Sequence, residues 1–164
     1  MGEILIRPVQ IKDAQGMIDV INPIIRAGGT TALEAEYSLA AQREFIAGIA
    51  PRAACHVALD QTDGTIVGFQ GYAEHAALPH HIADIATFVR IGEKGRGIGR
   101  RLSDTTFVAA RSDGYSEINA TIRADNFEGL AFYTRIGFRD FSVDRARPLG
   151  SGKTVDRISK RRSI

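Results

Sequence analysis

Residues 84–111, DIATFVRIGEKGRGIGRRLSDTTFVAAR, decide the fold, because they spell strand, turn and helix in immediate succession. Over residues 82–89, Asp84, Ala86 and Phe88 fall on one face and Ile85, Thr87 and Val89 on the other, the pattern of a half-buried strand. Lys94-Gly95-Arg96-Gly97-Ile98-Gly99 follows, placing glycines where the chain must turn tightly and present N–H groups without Cβ obstruction. From Ile98 onward Leu102, Thr105, Thr106 and Ala109 recur at helical spacing, and Asp113-Gly114 supplies a stop. The glycine turn therefore opens a helix.

A helix start carries unpaired N–H donors and the positive end of the dipole, so this turn suits a pyrophosphate, with Lys94, Arg96, Arg100 and Arg101 as supporting cations. Two familiar phosphate loops fail on residue identity. A Walker-type loop needs Gly-Lys followed by Ser or Thr, whereas Gly99 is followed by Arg100-Arg101. A dinucleotide fingerprint starting at Gly97 needs a glycine where Leu102 stands. Taken alone, the segment also fits a glycine-rich surface turn with solvated basic residues.

A second motif lies downstream in ADNFEGLAFYTRIGF, residues 124–138, where Asn126 is followed by Tyr133 and then Gly137-Phe138. Together, Lys94-x-x-Gly97-x-Gly99 and the Asn126…Tyr133…Gly137-Phe138 segment resemble the Gcn5-related N-acetyltransferases, with Lys94 where that family carries Gln or Arg. In element order the resemblance spans residues 4–141, while its specific motifs occupy the second half. The stretch INPIIRAGGTTALEAE, residues 21–36, also resembles the phosphinothricin acetyltransferase branch.

The resemblance implies an α/β (α+β) fold with a mixed, mostly antiparallel sheet, splayed central strands and flanking helices. It implies acetyl-CoA as co-substrate and direct transfer of the acetyl group to an amine. Thr87, Phe88 and Val89 would line the pantetheine arm, which adds to an open sheet edge as a peptide would. The N–H groups of Gly95, Arg96, Gly97, Ile98, Gly99 and Arg100 would hold the pyrophosphate, with Lys94 heading the motif. Asn126 would bond the pantetheine side, a role that competes with capping the helix it begins.

Transfer needs a free amine lone pair, and a lysine-like amine with a pKa of about 10.4 is almost fully protonated at neutral pH. Asp84 stands where the phosphinothricin branch has an acidic residue, and is the candidate base, directly or through water. Pairing with a nearby Arg or His is its structural alternative. Tyr133 is the candidate donor to the departing thiolate, and the N–H of Phe88 or Val89 the candidate oxyanion donor.

The remaining sequence sets the frame. The expected order is β, α, α, β, β, β, α, β, α, β, β in one domain, residues 1–164. A first helix should break at Pro23, Asp63-Gly64 should close a hairpin, and short strands at 141–143 and 155–158 should end the chain. Neither a long apolar run nor a charged-apolar-small leader is present, so the expectation is a cytoplasmic protein without membrane contact. Cys55 is the only cysteine, which excludes an internal disulfide and a multi-cysteine zinc site; a buried, inert thiol is expected. His56, His75, His80 and His81 lack the spacing of a metal set, so no metal is expected, although His80 or His81 could touch an anionic acceptor. Lys160-Arg161-Arg162 reads as a solvated tail, too few charges for a nucleic-acid partner.

The expected acceptor is a small-molecule amine, such as an amino acid or a compound like phosphinothricin or methionine sulfoximine. Rival readings are a protein N-acetyltransferase and a CoA-binding sensor without turnover. Family members are often dimers, so a homodimer through the C-terminal strands is expected.

Overall fold

In the computed structural model, which describes residues 2–164, seven strands form one sheet in the order β1-β2-β3-β4-β5-β7-β6. The strands are β1 (Ile4–Pro8), β2 (Ala54–Asp60), β3 (Ile66–Ala73), β4 (Ile82–Val89), β5 (Glu117–Arg123), β6 (Arg139–Pro148) and β7 (Thr154–Ser163). The helices are α1 (Ala14–Ala27), α2 (Leu39–Ala47), α3 (Ile98–Ser112) and α4 (Phe127–Arg135). Only β4 and β5 pair in parallel, because the α3 crossover returns the chain in the same sense. The mixed, mostly antiparallel sheet matches the expected fold class.

Strand alternation divides the apolar side chains between two faces. Cys55, Val57 and Phe69 meet Met17 and Ile21 of α1 and Ile46 of α2 on one face. Ala83, Ile85, Ile118 and Ala120 meet Phe107 of α3 and Tyr133 of α4 on the other. Ile98 and Leu102 seat the first turn of α3 on Ala58 and Val67. Gly68 makes that seat possible: a Cβ there would lie 3.0 Å from both Ile98 Cγ2 and the Phe88 carbonyl. The start of α3 is thereby pressed against the sheet beside β4.

The two central strands separate. β4 and β5 pair only from Ile82↔Glu117 to Ile85↔Ala120, after which β4 stays on β3 and β5 stays on β7. Arg90 N donates to Val67 O at 2.8 Å, which fixes which way the amides along β4 face. By alternation Ala86 and Phe88 turn their amides toward β3, and those of Thr87 and Val89 face the gap.

Three sequence expectations change. α1 continues through Pro23 to Ala27, because burial of Ile25 beside Ile21 and Val20 outweighs one missing N–H, and Gly28 at φ +69 ends it. β6 and β7 are ten residues each, longer than the short strands expected, since β7 is inserted between β5 and β6 and pairs with both. The basic tail is not a loose end: Lys160 is buried, donates to Thr134 Oγ1 at 3.0 Å and pairs with Asp140. Cys55 is buried as expected, and burial pushes its thiol up to about 12, leaving it protonated and inert. Among the described residues no helix is long and apolar enough to cross a membrane.

Candidate active site

The turn between β4 and α3 leaves its glycines and its amides open. Gly95 and Gly97 have φ of +82 and +69, and a Cβ on either would meet nothing within 4 Å. These two glycines are required by backbone conformation, and their open sides are bare. Arg101 N makes the first helical bond, to Gly97 O at 3.0 Å. Among the described residues, the backbone N–H groups of residues 94–100 donate to no protein group, side chain or backbone. They sit at the positive end of the α3 dipole, so an oxyanion there would gain both hydrogen bonds and field.

The loop's side chains divide differently from the sequence expectation. Arg96 is turned inward, donating to Glu93 at 2.6 Å, Asp60 at 2.7 Å and Gly2 O at 3.0 Å, so its charge is neutralised and it braces the turn against β2. Lys94 reaches across to Glu128 of α4 at 2.6 Å on an exposed surface. Arg100 and Arg101 are exposed and, among the described residues, make no ion pair. The last loop glycine has a third purpose. A Cβ on Gly99 would lie 2.8 Å from Phe132 Cε2, so Gly99 sets how closely α3 approaches α4. Gly99→Ala should therefore destabilise by roughly 1–3 kcal/mol through overpacking, read as a lower unfolding midpoint.

That approach positions Tyr133. Its ring is buried, packed edge-on at 5.0 Å against both Phe132 and Phe138. Its hydroxyl lies 2.8 Å from Thr87 Oγ1 on β4. Burial, with the Asp84 charge adding, pushes the phenol up to about 12, so it is a neutral proton donor over the working range.

Asp84 projects from the other face of β4, just before the strands part. It accepts from Asn119 Nδ2 at 2.8 Å and makes no ion pair with an Arg or a His among the described residues, although the charge of His75 acts on it from a distance. Burial raises its pKa above the usual carboxylate range, against the opposing Asn119 bond. Ala86, next on the same face, is exposed, so space opens beside the carboxylate. Asn126 caps α4, accepting from Gly129 N at 2.9 Å, and its Nδ2 donates to Thr30 O at 3.0 Å, tying α4 to the α1–α2 loop.

The structure brings Asp84, Thr87, Val89, Tyr133 and the glycine turn around one gap, and adds residues that sequence reasoning passed over. Directly opposed pairs Asn119/Arg161, Thr121/Ser159 and Arg123/Arg157 carry the Asp84 face onto β5 and β7. Arg123 is paired with Asp125 at 2.7 Å and bonds Thr31 O at 3.1 Å. Arg157 is half-buried, its side chain makes no ion pair or hydrogen bond among the described residues, and its Nε is shielded without a partner. The sequence placed it only within the short strand expected at 155–158 and gave its side chain no role. His75 and His80 sit with Glu74 and Pro79 around a separate recess, where His80 lies 3.4 Å from Glu74. Among the described residues no group of three or more His, Cys, Asp or Glu is arranged to hold a metal.

No curated protein sequence matches the chain. Solved structures do. A ribosomal-protein-alanine N-acetyltransferase from Brucella melitensis is 20% identical, covers 98% of this chain and 99% of its own, and superposes with a TM-score of 0.88. A phosphinothricin acetyltransferase from Sinorhizobium meliloti, in complex with acetyl-CoA, is 18% identical over 98% of this chain and 88% of its own, at 0.87. A GCN5-related N-acetyltransferase from Kribbella flavida is 22% identical over 98% of both chains, at 0.83. At such identities the likeness establishes the fold. Residues 25–138 match the model of the acetyltransferase (GNAT) family, a span that contains both central strands, the glycine turn and Tyr133. The chain therefore belongs to the acetyltransferase (GNAT) family of acetyl-CoA-dependent N-acetyltransferases.

Proposed function

We propose that the protein transfers the acetyl group of acetyl-CoA directly to the amine of a small, amino-acid-like molecule. The observation that carries this reading is the run of unengaged N–H groups at residues 94–100, opening onto a gap whose strand edges are also unpaired. The diphosphate is held by the turn, and the amide-bearing pantetheine arm adds to β4 through Thr87 and Val89. The Val89 N–H faces the gap and the Phe88 N–H faces β3, so Val89 is the oxyanion donor of the two. Asp84 accepts the ammonium proton on the acceptor side of β4. Tyr133 gives its proton to the departing thiolate on the other. Asn126 keeps one Nδ2 hydrogen for the arm, beside its capping bond.

Arg157 selects the acceptor. An unpaired guanidinium on the Asp84 face suits a carboxylate, bound bidentately. Arg157→Ala should raise KM for amino-acid acceptors roughly tenfold or more, the scale of a lost charged hydrogen bond, with KM for acetyl-CoA unchanged. The function itself is tested by thiol release with a panel of amino acids and peptides. Release stimulated by amino acids supports the reading; release with peptides alone points to a protein acceptor, and CoA binding without any stimulated release points to a sensor. The same reading includes a homodimer through β6, which is exposed along its length, Phe141 and Val143 included; a monomer by light scattering would remove that part.

A further inference from the structure

A line of polar side chains runs behind the gap, from the glycine turn to the phenol. Gln70, on β3, is fully buried and lies directly opposite Thr87 on β4. Its Nε2 donates to Thr87 Oγ1 at 2.8 Å and to Ser103 Oγ of α3 at 2.9 Å. Ser103 in turn donates to Gly99 O at 2.8 Å, and Thr87 Oγ1 lies 2.8 Å from the Tyr133 hydroxyl.

Counting hydrogens gives the bonds of the amide a direction. A hydroxyl has one hydrogen, and Ser103 commits its own to Gly99 O, so toward Gln70 it can only accept. The amide must therefore present its NH2 group to Ser103. Turning it round would place the NH2 where Oε1 now has no partner, leaving two buried donors unsatisfied in place of one acceptor. The second amide hydrogen goes to Thr87, whose oxygen thus accepts. Thr87 Oγ1 makes no further hydrogen bond among the described residues and keeps one lone pair and one hydrogen for the phenol, so either hydroxyl can donate to the other; accepting from Gln70 polarises the Thr87 hydroxyl and favours its donation to the phenol oxygen. In that arrangement the phenolic hydrogen points out of the network.

We propose that Gln70 is a positioning residue of the transfer: anchored through Ser103 to Gly99 of the glycine turn, its donation to Thr87 biases that hydroxyl to donate to Tyr133 and so leaves the phenolic proton free for the departing thiolate. This rests on the reading of Tyr133 as the acid. Thr87, as a donor, also stabilises the phenolate that remains once the proton has left.

The test is a double-mutant cycle on thiol release, with the best acceptor of the panel. Gln70→Met keeps the volume and removes both donors, so Thr87 loses the bond that favours its donation and more readily accepts from the phenol, holding its proton. The expected result is a fall in kcat of about tenfold, part of what a general acid contributes, with KM for acetyl-CoA within about twofold of wild type. In a Tyr133→Phe background the same change should have no further effect on kcat. An equal fall in both backgrounds would show a merely structural role and overturn the proposal, as would an unchanged kcat in a folded Gln70→Met. If Gln70→Met does not fold, Ser103→Ala releases the amide instead, and its effect on kcat must likewise vanish with Tyr133→Phe. Wild-type kcat for Tyr133→Phe would remove the acid reading and the relay together. A slowed Tyr133→Phe beside an unaffected Gln70→Met would remove the relay alone.

Discussion

Gly97→Glu should weaken acetyl-CoA binding by roughly a thousandfold or more. Two effects add. The residue at position 97 has φ +69, where any side chain is strained by about 1–2 kcal/mol. Its Cβ would project into open space on the ligand side, so the new carboxylate would face the diphosphate, a repulsion of order 4 kcal/mol at about 4 Å near a protein surface. Gly97→Ala carries the strain without the charge, and should weaken binding far less. Calorimetry with CoA measures both, and near-native affinity in the Glu variant would mean the diphosphate binds elsewhere.

Asp84→Asn should lower kcat by about 10² to 10⁴, the range of general-base catalysis. In the wild type, kcat/KM should fall as acid protonates Asp84, at a pKa above the ordinary carboxylate value of about 3.9 because the group is buried. The variant should lack that limb. Stability moves the opposite way. The folded pKa exceeds the unfolded one, so the native state binds the proton more tightly, and stability falls as pH rises through that range and stays lower at neutral pH. An Asn at position 84 carries no charge to desolvate and still offers Asn119 an acceptor. Asp84→Asn should therefore unfold at a higher temperature at neutral pH. An unchanged kcat with a lowered midpoint would make the carboxylate structural.

What could be read in the sequence was whatever depends on neighbours along the chain. The β4–turn–α3 unit is of that kind: β-alternation, glycines at αL positions and helical spacing are all local, and the unit forms where expected. Pro23 misled because the local loss of one N–H is outweighed by burial of Ile25, a tertiary effect. Of β7, only residues 155–158 were expected as strand and 160–162 as a solvated tail, because charged residues obscure the alternation, yet the strand runs on, held by two neighbouring strands, and buries Lys160. Loop side chains were the least legible. Nothing near Arg96 in sequence reveals Asp60 as its partner, and nothing near Gly99 reveals the Phe132 ring. Gln70 and Arg157 matter only through register, which places one opposite Thr87 and the other on the face of Asp84.

The most direct measurement is a titration of the protein with CoA, followed by backbone amide chemical shifts. The amides of residues 94–100, unengaged in the free protein, should shift most, with those of Thr87 and Val89 moving at the same CoA concentration. Saturable CoA binding that leaves residues 94–100 unmoved would contradict the account.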